Sequence, residues 1–127
     1  MKEAKAHLKS YRQSPRKVRV VADAVRGKSV EEAITVLSFM PKRASLPLQK
    51  LLASALANAK NLSLTSDNLV VKEIMVDAGT TLYRRRPRSR GMANPIRKRT
   101  SHVSVTLAES TKKPKKVKAK KVAETTN

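Results

Sequence analysis

The sequence contains no cysteine, only three glycines, and nine acidic residues against 29 lysines and arginines. Each shortage excludes something. Without cysteine there is no disulfide framework, no thiolate metal site and no cysteine nucleophile. With so few carboxylates, paired acid–base chemistry has little to draw on. Only Glu31 and Glu32 adjoin, and both sit where a helix begins. The glycines, Gly27, Gly79 and Gly91, form no phosphate-cradling loop, and each reads as a turn or bend. No apolar run approaches the roughly 18 residues that span a bilayer. The opening Met-Lys-Glu-Ala-Lys has no apolar stretch behind it, so no signal peptide and a cytoplasmic location are expected. His7 and His102 lie far apart, with no third ligand or base in view, so a surface role is expected for both. No metal, no cofactor and no catalytic residue is expected.

What is present is positive charge. The formal net charge is +20 over 127 residues. Removing Thr111–Asn127 takes away seven lysines and one glutamate, leaving 22 cations against 8 anions, a net of +14. The excess therefore belongs to the body as well as the tail. A chain so charged repels itself and calls for a partner rich in negative charge.

Along the chain, Lys2–Ser10 alternates as a strand does, with Ala4, Ala6 and Leu8 on one face and Lys5, His7 and Lys9 on the other. Ser14 and Pro15 open a helix, Ser14 as the capping acceptor and Pro15 in the first helical position. Val18, Val21, Ala22 and Val25 form its apolar stripe, and Gly27 ends it. Ser29-Val-Glu-Glu32 is a capping box for a second helix carrying Ala33, Ile34, Val36, Leu37 and Met40. A third and longest helix is expected from Pro41, with Leu48, Leu51, Leu52, Ala55, Leu56 and Ala59 as a wide apolar face. Pro47 belongs either in its first turn or at a bend. Small residues around Ala55 and Ala59 permit close approach to another element. Thr65–Asn68 reads as a turn. Leu69–Asp77 and the alternating Val103, Val105 and Leu107 read as strands that pair as an antiparallel hairpin.

Between those strands lies Leu82–His102, with Arg84, Arg85, Arg86, Arg88, Arg90, Arg97, Lys98 and Arg99 and no acidic residue. Such a segment buries too little apolar surface to offset its own ordering entropy. A solvated loop is the plain reading of a charge run. Three features favour binding instead. The cations are mostly arginine, whose planar fork grips phosphate with two prongs. Tyr83 can stack on an exposed base. Pro87, Gly91 and Pro95 stiffen and turn the path. There is no apolar face at helical spacing, so nucleic acid outranks a membrane surface. At about 3.3 Å per residue, an extended Gly79–Gly91 stretch spans roughly 40 Å, a length suited to threading between packed RNA helices. Arg16, Lys17, Arg19, Arg26, Lys42, Arg43 and His102 are candidates for further phosphate contacts. The lysine-rich 111–127 segment reads as a disordered, non-specific electrostatic extension.

Several stretches carry a resemblance. They are Ser14-Pro-Arg-Lys-Val-Arg19, Val21-Ala-Asp23, Arg26-Gly-Lys-Ser-Val-Glu-Glu-Ala33, Pro41-Lys-Arg-Ala44, Ser54-Ala-Leu-Ala-Asn-Ala59, Val76-Asp-Ala-Gly79 and Arg97-Lys-Arg-Thr-Ser-His102. In this order and spacing they resemble the large-subunit ribosomal proteins of the "L-twenty-two" family, over about residues 4–108. The resemblance implies a small α+β domain that binds large-subunit rRNA early in assembly, beside neighbouring ribosomal proteins. It also implies a β-hairpin whose tip lines the nascent-peptide exit tunnel and meets the passing peptide. By position that tip is Leu82, Tyr83, Arg84 and Arg88, Ser89, Arg90, Gly91, Met92, Ala93. Met92-Ala-Asn-Pro95 stands where many relatives carry another basic residue.

The expected fold is α+β: three helices on a small antiparallel three-stranded sheet, with a long protruding β-hairpin. One domain is expected over 1–110, with the arm at about 77–102 and the tail at 111–127. A structural ribosomal protein is the leading function. A free architectural nucleic-acid-binding protein of the chromatin type rests on charge alone. An enzyme rests only on the two histidines.

Overall fold

The computed structural model describes residues 3–64 and 68–109. Residues 65–67 of the expected turn at 65–68, the start of the first strand at Lys2 and the basic 111–127 tail lie outside the described residues. The element order is β1 (Glu3–Tyr11), α1 (Pro15–Val25), α2 (Val30–Phe39), α3 (Ser45–Asn61), β2 (Leu69–Ala78), β3 (Leu82–Pro87), β4 (Ala93–Lys98) and β5 (Ser101–Glu109). The class is α+β. The core sheet has the order β1-β5-β2, and β3 pairs with β4 in a separate two-stranded sheet. Every strand pairing is antiparallel.

The periodicities place the core. Ala4 and Ala6 of β1, Val71, Ile74 and Val76 of β2, and Val103, Val105 and Leu107 of β5 are buried on one face of the core sheet. Val18, Val21, Ala22 and Val25 of α1 are buried, as are Val30, Ala33 and Leu37 of α2. From α3 come Leu48, Leu51, Leu52, Ala55 and Ala59. The small α3 residues bring that helix close to the edge strand β1, where Asn58 Nδ2 donates to the carbonyl of Lys5 at 2.9 Å. A Schellman-type closure ends α3: Leu64 N–H bonds to Ala59 O and Ser63 N–H to Lys60 O, with Ser63 left-handed at φ 58°.

Two details of the expected helices are corrected. The third helix starts at Ser45, not Pro41; residues 41–44 form a lead-in turn closed by Ser45 N–H on Lys42 O. Pro47 therefore falls in the first turn, where its missing N–H is not needed. Ser14 occupies the N-cap position of α1 but makes no side-chain cap bond; Pro15 alone suits that start. At α2 the capping acceptor is present, with Ser29 Oγ accepting from Glu32 N–H at 3.3 Å.

The β2 edge of the core sheet is covered by α1 and the link after it. Gly27 N–H donates to Val71 O, and Val71 N–H to Lys28 O. Further along, Arg26 Nη2 reaches Ile74 O at 3.1 Å, and Arg19 Nε and Nη2 both reach Val76 O, at 3.1 and 2.9 Å. Outward carbonyls of an edge strand otherwise invite pairing with another chain. Arg19 and Arg26, two candidates for further phosphate contacts, thus use donors to hold the sheet edge.

Candidate nucleic-acid interface

Strands β2 and β5 connect to β3 and β4, respectively, across a break. Ala78 is the last residue of β2, and the ladder resumes at Leu82 opposite Lys98. The break is stitched by Gly79 N–H to Thr100 O at 2.9 Å and by Thr100 Oγ1 to Thr80 O at 2.7 Å. A Cβ on Gly79 would lie 2.4 Å from Thr100 Oγ1 and 3.1 Å from His102 Nε2. Only a bare backbone lets these strands meet so closely.

Beyond the break, the β3–β4 ribbon pairs Tyr83 with Arg97, Arg84 with Ile96, Arg85 with Pro95 and Arg86 with Asn94. Paired residues share a face and successive residues alternate. One face therefore carries Tyr83, Arg85, Pro95 and Arg97; the other carries Arg84, Arg86, Ile96 and Lys98. Both faces are cationic. Every residue from Tyr83 to Arg99 is exposed. The turn is short: Arg88 N–H bonds to Met92 O at 2.8 Å, with Arg90 and Gly91 both left-handed at φ 57° and 68°. The arginine there pays a conformational cost that glycine does not.

At the foot of the ribbon lies a cleft of about 660 Å³, lined by Arg12, Gln13, Ser14, Lys17, Arg43, Arg97, Lys98 and Arg99. A second concavity of about 400 Å³ shares Ser14, Lys17 and Arg99 and adds Pro15, Arg16 and Arg19. No acidic residue lines either one. Three separate pieces of chain converge here: the turn after β1, the lead-in to α3, and the end of β4. Tyr11 fixes the second of these, its hydroxyl donating to Arg43 O at 3.3 Å. Gln13 Oε1 is buried in this wall with no hydrogen-bond partner among the described residues.

Of the candidates read from the sequence, Arg16, Lys17, Arg19, Arg43, Arg97, Lys98 and Arg99 meet around these concavities. Tyr83, Arg84, Arg85, Arg86, Arg88 and Arg90 lie along the ribbon and its turn. Lys42 is exposed next to Arg43 and lines neither concavity. Arg26 is bonded to Asp23 at 2.6 Å and to the β2 edge. His102 is half-buried, its Nδ1 accepting from Ser10 N–H at 2.9 Å. His7 Nδ1 lies 3.0 Å from Ser104 Oγ, and both histidines line one shallow pocket on the sheet face away from the helices. Among the described residues no group of three metal-ligating side chains occurs. Arg12 and Gln13 escaped the sequence reading, because a turn between a strand and a helix has no periodicity to mark which way its side chains face.

The fold and its cation-lined concavities define a small, strongly basic α+β protein. The model of the family described as Ribosomal protein L22p/L17e matches residues 6–108, and the chain belongs to that family. The chain is 52% identical to the large ribosomal subunit protein uL22 of Desulfitobacterium hafniense over 110 residues, covering 86% of this chain and 96% of that protein. It is 53% identical to uL22 of Lactobacillus helveticus over 107 residues, covering 84% and 92%. It is 52% identical over 107 residues to uL22 of Lactobacillus delbrueckii subsp. bulgaricus, with the same coverage. It is therefore a ribosomal protein, it acts within the cytoplasmic ribosome, and it is not an enzyme. Among the described residues no helix is long and apolar enough to cross a membrane.

Proposed function

We propose that the chain is a structural constituent of the large ribosomal subunit, bound to its rRNA by the cleft at the ribbon foot and by both faces of the ribbon. The observation that carries this reading is the placement of arginines on both faces of a two-stranded ribbon with no acidic residue. A ribbon lying on its own core, or on one flat partner, needs only one binding face. Cations on both sides suit a polyanion that surrounds the strand pair. Packed RNA helices do that, and a single duplex groove does not.

On this reading residues 1–110 act as one rRNA-binding unit with an arm at about 77–102, and 111–127 add non-specific attraction. Arg16, Lys17, Arg43, Arg97, Lys98 and Arg99 hold phosphates at the foot. Arg84, Arg85, Arg86, Arg88 and Arg90 hold them along the ribbon, where Tyr83 stacks on a base. Arg19 contributes its remaining Nη1 donors; Lys42 and Arg26 take lesser parts. The ribbon is a long arm projecting inward, and its tip, Arg88–Ala93, lines the exit tunnel and touches the nascent peptide; Leu82–Arg84, expected at the tip, pair with Lys98, Arg97 and Ile96 near the foot instead. Binding early in assembly follows from family resemblance and from an arm that needs RNA around it. Deleting Arg84–Ile96 tests the reading: the core stays folded and joins the subunit through the foot, while the tunnel wall changes. A deletion variant whose subunits have an unaltered tunnel contradicts it.

A further inference from the structure

One imidazole ties β5 to the end of β1 beside the junction of core sheet and ribbon. His102 Nδ1 accepts the Ser10 N–H at 2.9 Å. A ring nitrogen that accepts from an N–H carries no proton, so this bond requires the neutral ring with its hydrogen on Nε2. Ser10 is left-handed at φ 55°, and the β1–β5 register shifts between Leu8 and Tyr11. Immediately beyond that kink come Arg12 and Gln13, which line the cleft against Arg97–Arg99. His102 lines a different pocket, with His7, Lys9 and Ser104. Its Nε2 side is seated against the bare backbone of Gly79.

We propose that His102 is a positioning residue: by holding the Ser10 N–H, its neutral ring fixes the kink that sets Arg12 and Gln13 against Arg97–Arg99, so the cleft takes RNA best while His102 is unprotonated. The proposal rests on the RNA reading above. Protonation turns Nδ1 into a donor and sets two N–H groups against each other. The groups facing the ring are His7 and Lys9 from β1, Ser104 from its own strand, and Asp77, its register partner on β2. Lys9 opposes the charged ring and Asp77 favours it. A histidine that touched phosphate itself would bind more tightly when charged, so acidification separates the two roles by sign.

The test uses the full chain, deproteinised large-subunit rRNA and filter binding at about 0.15 M salt, which limits long-range attraction. His7→Gln in the background leaves one titrating histidine. Between about pH 8 and pH 5.5, the range in which histidine changes charge, affinity falls at least about threefold. His102→Asn, whose amide oxygen can accept near the Nδ1 position and does not titrate, keeps the high-pH affinity and loses the pH response. His102→Leu binds at least about threefold more weakly at high pH, with hydrogen-bond loss as the cause; if that variant does not fold, the comparison with His102→Asn decides. Without RNA, the Ser10 and Arg12 amide resonances follow the His102 titration. Affinity that is flat or rises on acidification overturns the proposal, as does a His102→Asn chain that responds to pH like its parent. A Ser10 resonance indifferent to the His102 titration sinks the positioning role alone. A chain that binds no rRNA at any pH sinks the RNA reading, and this proposal with it.

Discussion

Replacing Gly79 by alanine puts a methyl group where the break between the two sheets is tightest. The new Cβ meets Thr100 Oγ1 at 2.4 Å, His102 Nε2 at 3.1 Å and the Thr100 carbonyl carbon at 3.3 Å. The first contact is too short to persist, and Thr100 Oγ1 is not free to swing, because it donates to Thr80 O at 2.7 Å in a buried side chain. Overpacking of this kind costs about 1–3 kcal/mol. Breaking the threonine bond adds about 0.5–1.5 kcal/mol. Against this, alanine restricts the unfolded chain and returns about 0.4–1 kcal/mol. The net expectation is a loss of roughly 1–3 kcal/mol. At about 4–8 °C per kcal/mol for a domain of this size, the thermal midpoint falls by at least about 4 °C. Circular dichroism melting measures it. Adding Thr100→Ala removes the closest contact, so the double variant lies nearer to Thr100→Ala alone than additivity predicts. A Gly79→Ala melting curve that superimposes on the parent refutes the packing argument at the break.

Arg19→Met removes both bonds to Val76 O and lowers stability by about 1–2 kcal/mol in urea titration, while Arg16→Met, with no such bond, stays within about 0.5 kcal/mol; equal effects would refute the edge-holding role. Lys98→Ala and Arg99→Ala each lower the slope of log affinity against log salt for rRNA by about one unit without moving the melting temperature, if each neutralises one phosphate. Lys72 bonds to Glu3 and holds its carboxyl below the ordinary 4.5, while Glu3 raises the Lys72 ammonium above the ordinary 10.5. A lowered carboxyl stabilises above its unfolded value and loses this as pH falls through the folded one. A raised ammonium stabilises below its unfolded value and loses this as pH rises through the folded one. The pair therefore acts from about pH 4.5 to pH 10.5, and Lys72→Met returns the Glu3 carboxyl toward 4.5 in an NMR titration; an unmoved Glu3 would contradict the pairing.

Much of the fold was legible because burial follows period. Val18, Val21, Ala22 and Val25 at helical spacing, and Val103, Val105 and Leu107 at strand spacing, are all buried where the pattern put them. The start of α3 was not legible, because a proline is as much at home just before a helix as at its first position, and Pro41 is followed by a turn. The discontinuity in the ladder was marked only by Gly79; that Thr100 would turn inward against it depends on a contact across 21 residues of chain. The candidate interface was half visible. The arginines of the ribbon stand in one run, so composition finds them. The cleft at the foot is assembled from Arg12, Lys17, Arg43 and Arg97–Arg99, which only the fold brings together. The tasks of Arg19, Arg26 and His102 are set by backbone groups on other strands, which a linear reading cannot see.

The central claim is that RNA encloses the ribbon on both faces. A photoreactive residue, p-benzoylphenylalanine, placed singly at Arg84 and at Arg85 probes the two faces directly, since neighbours along a strand point to opposite sides. In irradiated large subunits the account predicts RNA crosslinks from both positions. Crosslinks to RNA from only one of them, or from neither, would contradict it.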